Sequence, residues 1–213
     1  LSIRTKRSTK RSVAAIIAAT LIASVLALVS TPASAAATVT QKRLSGLDRY
    51  ATASATAEYT YATATKAIIA SGENYADALT GSALSGAIAS PLLLTAKDAL
   101  PAVTAAALGR MMGTNKTVYV LGGEAAVSAG VVTTLTGLGY VVTRISGADR
   151  YATAAAVAAK VKSLSTIGSM NGKVTCILAS GQGYADALSA GPIAAKEIMP
   201  ILLTEPGTLT AAT

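Results

Sequence analysis

The stretch Lys66-Ala-Ile-Ile-Ala-Ser-Gly-Glu-Asn-Tyr-Ala-Asp-Ala-Leu79, followed by Pro91-Leu-Leu-Leu-Thr95, decides the fold class. Lys66 to Ser71 is a short apolar run, the pattern of a strand buried on both faces. From Ala76 to Ala89 the spacing of Leu79, Ala83 and Ile88 is helical. Pro91 to Thr95 is a second buried strand, with proline at its first position, where the missing N–H is tolerated. Working outward, Asp48 is placed to cap a helix from Arg49 to about Tyr61. Leu100 to Met112 is a helix with Pro101 near its start. Thr117 to Leu121 is a third strand closed by Gly122-Gly123. Glu124 to Leu135 is a further helix, with Gly137 and Gly139 beyond its end, and Tyr140 to Ile145 is a fourth strand. Alternating strands and helices predict an α/β fold with a parallel sheet covered on both faces and right-handed crossovers.

The pattern occurs twice. Arg43-Leu-Ser-Gly-Leu-Asp-Arg-Tyr-Ala-Thr-Ala53 returns as Arg144-Ile-Ser-Gly-Ala-Asp-Arg-Tyr-Ala-Thr-Ala154, an offset of 101. Ala70-Ser-Gly-Glu-Asn-Tyr-Ala-Asp-Ala-Leu79 returns as Ala179-Ser-Gly-Gln-Gly-Tyr-Ala-Asp-Ala-Leu188, and Pro91-Leu-Leu-Leu-Thr95 as Pro200-Ile-Leu-Leu-Thr204, both at 109. Eight residues are therefore inserted between the blocks, most readily in Ser163 to Lys173. A period near 100 is too long for a solenoid unit and indicates tandem modules. We divide the chain into a module at 43–143 and an incomplete one at 144–213, with 36–42 as linker. Thr213 corresponds to Thr104, so the natural protein is expected to continue, and Thr208 to Thr213 reads as the start of a helix.

The 213 residues contain no His, Phe or Trp and one Cys, and carry a formal charge of +8. Without His there is no Ser-His-Asp triad and no HExxH zinc helix, and one Cys makes no internal disulfide. The lack of large rings disfavours a nucleic-acid surface built on stacking. Arg4, Lys6, Arg7, Lys10 and Arg11 precede an uncharged run from Val13 to Val29 and then Thr31-Pro-Ala-Ser-Ala-Ala36. This is a secretory signal peptide, cleaved after Ala35, in preference to a transmembrane anchor. Membrane contact is then transient, and the product is secreted. Beyond residue 35 there are 13 Lys+Arg against 10 Asp+Glu, so the strongly basic character belongs to the leader.

The duplicated blocks, with Val120-Leu-Gly-Gly123, resemble the cell-wall-binding repeat type 2 family of Gram-positive surfaces. The resemblance covers Lys42 to Thr213. It implies Toprim-like or Rossmann-like α/β modules, usually three packed as a pseudo-trimer, that attach surface proteins and wall enzymes to anionic wall polymers. The partner implied is such a glycopolymer, with a third module in cis or in trans. It implies no catalysis by this segment. The parent is then either a non-catalytic surface protein or a wall hydrolase of the N-acetylmuramoyl-L-alanine amidase type, with its catalytic domain elsewhere.

Four arginines are candidate polymer ligands. Arg49 and Arg150 start helices after a capping Asp48 or Asp149, where a guanidinium and helix-start N–H groups suit an anion. The alternative is a structural salt bridge to Asp77 or Asp186. Arg43 and Arg144 contact either ligand or a module seam. Asp77 and Asp186, at helix starts, read as caps or dipole partners. Glu73 could pair with Asp77 as in glycoside hydrolysis, but the second copy has Gln182. Tyr75 and Tyr184 read as packed rings, with sugar stacking as the other option. Gly122-Gly123 lacks the P-loop pattern and reads as a packing turn. Cys176 reads as a buried thiol. No Asp-x-Asp cluster exists for Mg²⁺, so neither cofactor nor metal is expected.

Overall fold

The structure is a computed structural model that describes residues 40–113 and 116–213. The signal peptide read at 1–35 lies outside the described residues. From Arg43 on, the chain runs α1 (Arg49–Thr60), β1 (Lys66–Ser71), α2 (Tyr75–Ile88), β2 (Leu92–Thr95), α3 (Ala102–Met112), β3 (Thr117–Leu121), α4 (Ala129–Gly137) and β4 (Val141–Ile145). It continues with α5 (Arg150–Leu164), β5 (Ser169–Met170), β6 (Lys173–Val174), β7 (Ile177–Ser180), α6 (Ala185–Glu197) and β8 (Ile201–Thr204).

The first repeat builds a parallel sheet of four strands in the order β2-β1-β3-β4. Side chains alternate between its faces, as a strand period of two requires. Ile68, Ala70, Tyr119 and Leu121 enter one core with helices α2 and α5, whereas Ala67, Ile69, Val118 and Val120 enter another with α1, α3 and α4. Both faces are dry, which is why these strands read as apolar runs. β7 and β8 of the second repeat form a parallel pair that copies β1 and β2.

The first core is shared between the repeats. Val157 and Val161 of α5, Ala187 and Ala194 of α6, and Ile201 and Leu203 of β8 belong to the same buried cluster as Leu84 and Leu121. α2 and α6 approach closely along small residues. A Cβ on Gly86 would overlap the carbonyl oxygen of Ala195, and one on Gly191 would meet Ser82 Oγ at 3.3 Å. Ser82 corresponds to Gly191 and Gly86 to Ala195 at the 109 offset, so equivalent positions of the two repeats face each other.

The inserted residues lengthen α5 to 15 residues against 12 in α1 and form the β5–β6 hairpin. Asn171 and Gly172 both have positive φ (50° and 75°), as a two-residue hairpin turn of this sequence requires. Three expectations need correction. The fourth helix starts at Ala129, not Glu124: the Ser128 N–H is bound to the Lys97 carbonyl (2.9 Å), which keeps residue 128 extended, and Ala126 and Val127 turn back on the Gly123 carbonyl. Thr208–Thr213 forms turns and no helix, because so short a segment cannot offset the cost of helix nucleation. Cys176 is exposed, not buried, since it precedes β7 and β7 pairs only with β8 among the described residues.

The close approach of α2 and α6 predicts that Gly86→Ala destabilises the chain by about 1–3 kcal/mol. Gly109→Ala, in a helix and with nothing within 4 Å, should stabilise it by about 0.4–1 kcal/mol. Urea unfolding of both variants checks the contrast.

Candidate functional site at the seam between repeats

The motif that opens each repeat is a piece of construction. Asp48 Oδ1 accepts the Ala51 N–H and Asp149 Oδ1 the Ala152 N–H, both at 2.7 Å, so both aspartates are helix N-caps. Gly46 and Gly147 donate to Thr52 Oγ1 and Thr153 Oγ1 at 3.0 Å. The next residue of the motif reaches across to the loop after the following strand. Arg49 donates to the Gly72 carbonyl, and Arg150 to the Gly181 carbonyl at 2.5 Å. Tyr50 and Tyr151 press on the same glycines from the side: a Cβ on Gly72 or Gly181 would overlap their rings. Neither arginine makes the salt bridge to Asp77 or Asp186 considered from sequence; the partner in both repeats is a carbonyl.

The same loop is tied to the one after the second strand by a carboxylate, which comes from a different position in each repeat. Glu73 Oε1 accepts the Lys97 N–H at 3.0 Å. In the second repeat Gln182 stands in place of Glu73, and its side-chain amide donates to Glu205, which also accepts from the Tyr151 hydroxyl. That hydrogen bond is the chief cause of a raised Tyr151 pKa. Glu73 is therefore occupied as a tie.

Where the repeats meet, a cavity of about 360 Å³ opens at the carboxyl ends of β1 and β3. Ser71, Glu73, Asp77 and Lys97 line it from the first repeat, and Gly147, Asp149 and Arg150 from the start of α5. β1 and β3 lie side by side while the chain goes from β1 out to β2 and returns to β3. Such a switch point leaves a crevice at the strand ends. The N-termini of α2 and α5 both border it and add partial positive charge.

Arg150 joins the two halves. Its Nη1 lies 3.5 Å from the Tyr75 hydroxyl and its guanidinium 5.9 Å from the centre of the Tyr75 ring. Tyr75 in turn meets its counterpart Tyr184 edge-on, ring centres 5.8 Å apart at 63°. Asp77 is 8% exposed. Its carboxyl lies against the Cα of Gly122, which has φ 93° and no room for a side chain. Burial raises the Asp77 pKa, and the charge of Arg150 offsets this in part. Sequence reasoning placed Asp77 at a helix start but missed that Gly122 and Arg150, distant in sequence, enclose it.

The remaining arginines sit elsewhere. Arg144, on β4, donates to the carbonyls of Gly122 (2.6 Å) and Val127 (2.8 Å) and holds the loop after β3. Arg43 is exposed and lines none of the cavities described. Arg49 lines a shallower groove with Gly72, Tyr75 and Leu94. Asp186 and Tyr184 are exposed, whereas their counterparts Asp77 and Tyr75 are covered to a greater degree. Among the described residues no group of three or more His, Cys, Asp or Glu is placed to hold a metal ion. No helix among them is long and apolar enough to cross a membrane.

The architecture is that of a tandem-repeat α/β region whose motifs fasten loops and which carries a polar crevice between its repeats. Cell wall binding domain 2 (CWB2) matches residues 43–132 and 144–213, and the chain belongs to this family. It is a cell-wall-binding region, and its place is the cell wall outside the cytoplasm. The chain is 36% identical over 172 residues to the N-acetylmuramoyl-L-alanine amidase LytC of Bacillus subtilis (strain 168), covering 81% of this chain and 32% of the relative. It is 29% identical to the Amidase enhancer of the same organism, covering 76% and 21%. Among solved structures, Cwp8 from Clostridium difficile matches with a TM-score of 0.69 at 30% identity, covering 79% of this chain and 28% of that one. Cwp6 from the same organism matches at 0.69 and 26%, covering 83% and 28%. The chain thus spans about a third or less of each relative's length.

Asp77 supplies a pH test. Its folded-state pKa is raised above 3.8, so the folded state binds more protons than the unfolded one in the window just above that value. Its contribution to stability is most favourable below 3.8 and falls as pH rises through the raised pKa. Asp77→Asn should flatten this part of the stability–pH profile. Urea unfolding from pH 3 to 7 measures it, and superimposable profiles for the two proteins would refute the assignment.

Proposed function

We propose that this region holds a secreted protein to the wall by binding an anionic wall polymer across the seam cavity, without catalysis. The observation that carries the reading is the convergence there of Arg150, Lys97 and two helix N-termini from two repeats. Of the four candidate arginines, Arg150 lines this cavity and Arg49 the groove, so these two are the proposed ligand contacts. Arg144 takes a structural role through the carbonyls of Gly122 and Val127. The lining also contains Glu73, Asp77 and Asp149, so the site is no simple cationic patch. Asp149 and Glu73 already accept N–H groups, and Asp77 offers an acceptor to a polymer hydroxyl. The signal peptide read at 1–35 supports secretion. The doubly wound strand order supports the Toprim-like or Rossmann-like description of the module.

A third repeat is proposed to seat on the exposed start of α6, in cis or in trans. The support is that Asp186 and Tyr184 stand exposed where their counterparts are covered across the existing seam. A second reading makes this the anchoring region of an amidase whose catalytic domain lies outside this chain. Its support is the likeness to the LytC amidase. The gene sequence beyond Thr213 distinguishes it from a non-catalytic surface protein.

The protein should be retained on purified Gram-positive walls and released from walls stripped of anionic polymers by acid extraction. Equal retention on stripped walls would sink the proposal. The Lys97 side chain is exposed, so Lys97→Glu should leave the melting temperature unchanged. It should weaken retention roughly tenfold, about 1.4 kcal/mol.

A further inference from the structure

One carboxylate in the seam cavity is left without a hydrogen-bond donor among the described residues. Ser71 Oγ accepts the Glu73 N–H, Asn74 Oδ1 the Ala76 N–H and Thr153 Oγ1 the Gly147 N–H. Glu73 Oε1 and Asp149 Oδ1 take the N–H groups of Lys97 and Ala152. All five side chains line the cavity, and all five are already engaged. Asp77 lines it too and is 8% exposed, yet its carboxylate accepts nothing from a described residue. On its other side Oδ2 fills the place that a Cβ on Gly122 would take. Arg150 is near enough for its charge to offset part of the cost of burial, but its Nη1 donates to the Gly181 carbonyl. A buried carboxylate with no donor is costly. The second repeat avoids that cost, because its Asp186 is exposed.

We infer that Asp77 is the specificity-determining residue of this cavity: it accepts a hydroxyl of the ligand unit whose anionic group Arg150 and Lys97 hold. The inference rests on the reading that the cavity binds an anionic polymer. It narrows that polymer to one whose repeating unit carries a hydroxyl beside its charged group. A hydroxyl brings a donor without a charge. An ammonium would also satisfy Asp77, but it would enter a cavity that already holds Arg150, Lys97 and the positive ends of α2 and α5. A unit with no donor leaves the carboxylate unpaired and sets it against a like charge. The cavity therefore selects by a penalty on the wrong unit as well as by a contact with the right one. This gives the mixed charge of the lining a purpose: the cations hold the anion, and Asp77 reads what lies next to it. Phosphate and carboxylate units share this chemistry, and the test separates them.

Two pairs of immobilised polyanions test this, each with a hydroxylated and a hydroxyl-free member. They are poly(glycerol phosphate) with polyphosphate, and polygalacturonate with polyacrylate. The full chain should be retained more tightly on the hydroxylated member of at least one pair, and the pair that shows the preference names the anion. Asp77→Asn, close in size to the native residue, should lower that preference roughly tenfold. A neutral amide accepts the hydroxyl less strongly than a carboxylate does, and it no longer repels the hydroxyl-free polymer. Asp186→Asn, at the exposed counterpart, should leave the preference unchanged. Retention without preference in both pairs overturns the inference while the anion-binding reading stands; solvent alone then satisfies Asp77. An Asp77→Asn chain that binds both members of a pair equally more weakly makes Asp77 a partner of the α2 dipole only. One that binds both equally more tightly makes it a repulsive charge only. Either result overturns the inference. Retention on none of the four polymers overturns the reading of the cavity and this inference with it. If Asp77→Asn does not melt cooperatively, the preference of the unaltered chain decides alone.

Discussion

An arginine at the start of a helix, donating to a glycine carbonyl in the loop after the next strand, is the contact on which each repeat depends. Arg49 does this to Gly72 and Arg150 to Gly181. A charged donor on a carbonyl is stronger than a neutral pair, and here it spans 23 and 31 residues of sequence. It fixes the helix start against the strand end, which in turn fixes the next helix start, because the clamped loop leads directly into α2 or α6. The glycine is needed on two counts: the arginine reaches its carbonyl, and the tyrosine after the arginine occupies the space of a side chain. The repeated string Gly-x-Asp-Arg-Tyr-Ala-Thr is thus a set of instructions for joining two loops.

The clamp of the second repeat also builds an interface. Arg150 belongs to the second repeat, clamps its own glycine, and with the rest of its surface faces Tyr75 and the cavity that holds Asp77. One guanidinium holds its own module together and completes the crevice of its neighbour. That double use explains why the cavity lies between repeats rather than within one. It also explains why a single repeat presents only part of the lining.

The sheet of the first repeat was legible because its inner strands are covered on both faces: Ala67–Ala70, Leu92–Leu94 and Val118–Leu121 carry unbroken apolar letters, and the internal repeat set the frame. The caps at Asp48 and Asp149 were legible from local chemistry. What escaped was whatever depends on partners far away in the chain. The role of Arg144 needs the loop at Gly122 to be beside it, and the enclosure of Asp77 needs Gly122 and Arg150. Cys176 lay in apolar letters, but burial depends on a neighbouring strand that the second repeat does not present among the described residues. The late start of α4 hinged on one N–H, that of Ser128, being held by Lys97.

The placement of β4 bears on how such a region carries load. The chain passes from the first repeat to the second through a strand held sideways by β3, and only afterwards enters α5. A pull on an anchored protein that acts along the strand direction must therefore slide β4 past β3 in shear, with several hydrogen bonds loaded at once rather than opened one at a time. Arg144, tied to two carbonyls of the adjoining loop, acts as a pin across that sliding surface. Tension between the repeats is thereby borne by the sheet and not by a linker.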